Sequence, residues 1–139
     1  MNRIRTIISI VMGIGVVAAC NLVKDDPIGK WDDIIQLSTK NVELSSSVDS
    51  AVVTTQGSWW WIASISYNDS TYQYYNRSDI NMEADKYKII EKDFTLERRD
   101  KNTLYIQMEK NESGNSRDMS IVLEAGNYFD YLRINQQAN

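Results

Sequence analysis

Histidine is absent from all 139 residues, and cysteine and proline occur once each. Without histidine there is no Ser-His-Asp or Cys-His catalysis, and the commonest zinc ligand is missing. The lone cysteine, Cys20, excludes an intrachain disulfide, so the fold must be held by its core alone. Positive charge is also scarce. Lys and Arg number 15 against 19 Asp and Glu, a net charge of −4 with no basic cluster, which argues against nucleic acid and against an electrostatic hold on anionic lipid. The acidic residues do not point to an active site either. Asp25-Asp26 and Asp32-Asp33 lack the alternating spacing of a calcium loop. Glycoside hydrolysis needs two carboxylates across a cleft, which a domain of this size rarely contains. The expectation is a protein that is not an enzyme and carries neither metal nor cofactor.

Long apolar runs are limited to one, residues 7–17, and it falls short of the ~20 residues a membrane-spanning helix needs. Gly13 and Gly15 weaken it further as a permanent helix. Arg3 and Arg5 precede the run and Val17-Ala18-Ala19-Cys20 ends it, the arrangement of a cleavable signal over residues 1–19. Small residues directly before a cysteine resemble the lipobox of bacterial lipoproteins. That resemblance implies a diacylglyceryl group on Cys20, and anchoring to the membrane through its acyl chains. Cleavage removes Arg3 and Arg5 and leaves 13 basic against 19 acidic side chains, a net charge of −6. Residues 20–30 read as a tether, and Lys24-Asp25-Asp26 within it resembles a signal that sends lipoproteins to the outer face of the outer membrane.

The remaining residues, 31–139, suffice for one domain with a real core and not for two. From residue 34 the apolar pattern has a period of two, with turn residues between short runs. Strands are expected at 34–37, 41–44, 51–55, 59–67 and 87–91, and around Phe94-Leu96, Leu104-Met108, Met119-Leu123 and 128–135. Residues 68–76 are less regular, and 79–86 have room for a turn of helix. Residues 98–101 read as a solvated charged turn. Short loops containing Gly or Asn join antiparallel neighbours. The expected fold is all-β, a single sandwich of about eight antiparallel strands.

Residues 35–44 (Ile-Gln-Leu-Ser-Thr-Lys-Asn-Val-Glu-Leu), Val52-Val53-Thr54-Thr55 and Trp59-Trp60-Trp61-Ile62 resemble the opening of a BACON domain. The closing residues do so more specifically: Asn111, Arg117, Ser120-Ile121-Val122-Leu123, Gly126-Asn127-Tyr128 and Ile134-Asn135-Gln136. The likeness covers roughly residues 30–137. Residues 67–92 depart from it, being longer and richer in Tyr, and Ser45-Ser46-Ser47 stands where a glycine-rich turn is usual. The resemblance implies an immunoglobulin-like sandwich in a surface or periplasmic protein, and carbohydrate or mucin binding.

Strict alternation through 59–67 puts Trp59, Trp61, Ala63, Ile65 and Tyr67 on one face, expected to be core, and Trp60 on the other. Trp60 is then the leading candidate for a sugar contact, because an indole lies flat on the apolar face of a pyranose. Tyr72, Tyr74 and Tyr75 either extend that platform or cap the core. The expected partners are the membrane, through the lipid on Cys20, and either a glycan or another surface protein.

Overall fold

The computed structural model describes residues 32–74 and 77–139, and nine strands with no helix are found among them. They are β1 (Asn41–Leu44), β2 (Asp49–Thr54), β3 (Trp61–Tyr67), β4 (Ser70–Tyr72), β5 (Tyr87–Ile90), β6 (Phe94–Asp100), β7 (Thr103–Met108), β8 (Arg117–Ala125) and β9 (Tyr128–Gln136). One sheet has the order β1-β9-β8-β3-β4 and the other β2-β7-β6-β5. The chain folds as the expected all-β sandwich. Each sheet turns alternate residues inward. Ile89, Leu96, Leu104, Ile106 and Met108 from one sheet join Ile62, Ile65, Met119, Ile121, Leu123, Leu132 and Ile134 from the other in a single buried cluster.

Three local expectations are corrected. Strand pairing is not wholly antiparallel, because β1 runs parallel to β9, with Val42 opposite Ile134. The two strands are not consecutive, so no tight turn forces them to run in opposite directions. Residues 34–37 form only an isolated bridge between Leu37 and Thr55. The Asp33 carboxylate accepts hydrogen bonds from the Ile35 and Gln36 amides at 3.2 and 2.7 Å, and Gln36 takes a left-handed φ of 52°, so the chain turns where a strand was expected. Residues 79–86 contain turns and bends in place of a helical turn.

The closing residues of the family-like pattern prove to be a clasp. Gln136 and Asn111 are fully buried. Gln136 Nε2 donates to the carbonyls of Ser47 and Glu109 at 3.2 and 2.9 Å. Asn111 Nδ2 donates to the carbonyls of Asn115 and Gln137 at 2.7 and 2.9 Å. Arg117 donates to the Glu109 and Lys110 carbonyls and to Gln136 Oε1. These bonds tie the final strand to two loops, and they satisfy the buried side-chain amides of Asn111 and Gln136.

Candidate functional site

A β-bulge decides which tryptophans face solvent. In the pairing of β3 with β8, Trp61 lies opposite Glu124 and Ile62 opposite Leu123, but Ser64 lies opposite Val122, leaving Ala63 unpaired. One extra residue reverses the parity of everything on one side of it. Beyond the bulge Ile65 and Tyr67 face the core as expected; before it, Ile62 and Trp60 do. The expected faces of the tryptophans are therefore inverted. Trp60 is 2% exposed and Trp59 is 72% exposed.

Trp60 is held inside by every part of its ring. Its Nε1 donates to Thr55 Oγ1 at 2.9 Å and to the Gly57 carbonyl at 3.1 Å. The Arg98 guanidinium lies 4.1 Å from the ring centroid. Arg98 belongs to no solvated turn: it is 2% exposed and donates to the carbonyls of Ala84, Ser58 and Lys101. Burial pulls its pKa down from the ordinary arginine value. The inward position was visible in the alternation, since Phe94, Leu96 and Arg98 are all in phase. Its charge concealed it.

The tyrosines also go inward. Tyr74 is 2% exposed, and its hydroxyl donates to Glu91 Oε1 at 2.9 Å. Burial first, and that hydrogen bond second, raise its pKa well above the usual phenol range. Tyr72 is half-buried, stacked on Tyr74 with centroids 6.2 Å apart and edge-on to Phe94 at 5.8 Å. Tyr72 and Tyr74 are thus brought together, but as a cap on the core. Tyr75 and Cys20 lie outside the described residues.

The exposed aromatics assemble elsewhere. Trp59 and Trp61 meet edge to face, 5.8 Å apart at 80°. With Ser58, Glu83, Asp85 and the edges of Trp60 and Arg98 they line a pocket of about 350 Å³. Trp59 leans over the β8–β9 turn, where a Cβ on Gly126 would sit 3.6 Å from its ring. Gly126 has φ +62°, the left-handed conformation that glycine adopts without strain. The register then carries the aromatic surface across the sheet. Trp61 is opposite Glu124 and Glu124 is opposite Phe129; one rung further, Ser64, Val122 and Tyr131 align. Phe129 and Tyr131 are 46% and 47% exposed. Aromatic faces beside carboxylates can grip a ligand that has both C–H surface and hydroxyl groups.

No protein-family model matches the chain, and no curated protein matches it. Among solved structures, it is similar to an NMR structure of a protein from Bacteroides thetaiotaomicron. The identity is 20% and the TM-score 0.60, over 82% of this chain and 94% of that one. It is also matched to a Bacteroides ovatus GH5 xyloglucanase in complex with a XXXG heptasaccharide, at 14% identity and a TM-score of 0.47, over 76% of this chain and 19% of that one. The first similarity is one of fold.

Proposed function

We propose that this chain is a lipid-anchored surface module that binds carbohydrate through the Trp59–Trp61 pocket. The observation that carries the proposal is the placement of Trp59. An indole 72% exposed, steadied by a second indole and flanked by Glu83 and Asp85, offers a flat apolar face with acceptors beside it. A pyranose would cover the ring with its C–H groups and donate hydroxyls to the carboxylates. The resemblance to BACON domains supports the same reading by analogy. Attachment through Cys20 would hold this face outside the cell, where polysaccharide is met.

The test is an array of plant polysaccharides and mucin glycans probed with the full chain in detergent. Binding that Trp59→Ala reduces at least tenfold is the expected result. Capture of a surface protein with no glycan bound would replace this reading with a role in protein assembly. The anchor is tested separately: Cys20→Ser should move the protein from the membrane fraction to the soluble one and end labelling by fatty acid.

A further inference from the structure

At the far end of the same sheet face from the tryptophans, the side chains change from aromatic to polar. Across the sheet one rung reads Asn41, Arg133, Ser120, Ser66 and Thr71; the next reads Glu43, Asn135 and Asp118, with Asn68 beyond. β8 and β3 carry Ser120 and Ser66 where β9 carries Arg133, and the difference in length hollows the sheet into an open groove of about 410 Å³, which Glu43, Asn135 and Asp118 line on the next rung. Its walls are fixed. Asn135 Nδ2 donates to Asp118 Oδ1 at 2.7 Å, and Asn68 Oδ1 accepts from the Asp118 amide at 3.1 Å. Arg133 is the one cation among the lining residues, which also include Glu43 and Asp118. Donors and acceptors are mixed, and the outward rungs at this end are polar. Such a groove suits a neutral polyhydroxylated chain better than an apolar peptide or a polyanion.

Trp61 brings the aromatic pocket to the sheet face that carries the groove. Glu124, opposite Trp61, lies six positions along β8 from Asp118, a span of about 20 Å on an extended strand. The outward residues between them on β3 and β8 are small, Ser64, Ser66, Ser120 and Val122, while Tyr131 rises on the β9 side. We infer that the ligand is an extended neutral oligosaccharide lying along β3 and β8, with one end on Trp59–Trp61 and the other in the groove of Arg133, Asn135 and Asp118. This inference rests on the pocket reading and adds a second subsite and a minimum ligand length to it.

The full chain in detergent is titrated by calorimetry with cello-, xylo-, manno- and chito-oligosaccharides, each from monosaccharide to hexasaccharide. In the series that binds, the hexasaccharide should bind at least tenfold tighter than the disaccharide. The double variant Arg133→Ala, Asn135→Ala should return the hexasaccharide to the disaccharide value and leave the disaccharide within twofold, with an unchanged unfolding midpoint. Trp59→Ala should weaken both. A hexasaccharide no tighter than its disaccharide, or a length gain that survives the double variant, overturns the extended ligand and leaves the Trp59–Trp61 pocket standing. So does a branched mucin glycan that binds when every linear series fails. Absence of any glycan binding by the unsubstituted chain overturns both.

Discussion

Trp59 and Trp60 are neighbours in sequence, identical in chemistry and opposite in fate. Trp60 is enclosed by a hydroxyl, a carbonyl and a guanidinium, while Trp59 stands in solvent on the edge of Trp61. The same division separates the buried Tyr74, with the half-buried Tyr72 stacked on it, from the exposed Phe129 and Tyr131. Aromatic richness alone therefore marks both a core and a surface. What separates them is the parity of the strand at each residue, and at β3 that parity turns on Ala63.

Deleting Ala63 attacks this contrast at its origin. Without the bulge, either Trp60 and Ile62 or Ile65 and Tyr67 must leave the core. At about 1.5–3 kcal/mol for each side chain exposed, the loss should reach roughly 3–6 kcal/mol in urea unfolding. Trp60→Ala comes next. It removes a fully enclosed indole and should destabilise the protein by about 3–5 kcal/mol. An unfolding midpoint close to the parent's would show that Trp60 is not the packed residue described.

A smaller effect is expected at the buried Tyr74 and at Tyr87, which is partly buried with its hydroxyl inside. Burial raises the hydroxyl pKa of Tyr74, and pushes that of Tyr87 up to about 12. Both therefore stay protonated in the folded protein at a pH where the unfolded chain, ionising near 10, releases its protons. Their stabilising contribution is complete below about pH 10 and declines as the pH rises above it, through about 12 for Tyr87 and further for Tyr74. Urea midpoints measured from pH 8 to 11.5 should fall through the upper part of that range. Tyr74→Phe should make the fall shallower and cost about 0.5–1.5 kcal/mol at neutral pH through loss of the bond to Glu91. The smallest effect on stability belongs to Trp59→Ala, within about 0.5 kcal/mol, because the ring covers little in the free protein. That variant should keep its stability and lose its ligand, whereas Trp60→Ala should lose stability.

Much of the fold was legible from residues. The alternation of Phe94-Leu96, Leu104-Ile106-Met108 and Met119-Ile121-Leu123 marks the inward faces, because a strand's side chains alternate whatever it pairs with. Gly126-Asn127 marks the β8–β9 turn for an equally local reason. Asn111, Arg117 and Gln136 stood out as a pattern, although only their hydrogen bonds show that the pattern is a clasp. The candidate site was less legible. Phe129 and Tyr131 alternate visibly with Asp130 and Leu132, but a buried aspartate among them, paired to Lys40 at 2.8 Å, makes the inward side look polar.

The sequence by itself determined that the chain alternates as strands, turns at its Gly and Asn residues, and has aromatics to spare beyond one small core. It could not say which of three adjacent tryptophans meets water. That choice depends on an unpaired residue, and a residue is unpaired only relative to the strand beside it. β8 lies more than fifty positions away in the chain, so the bulge at Ala63, and with it the exposure of Trp59, exists only once the sheet has formed.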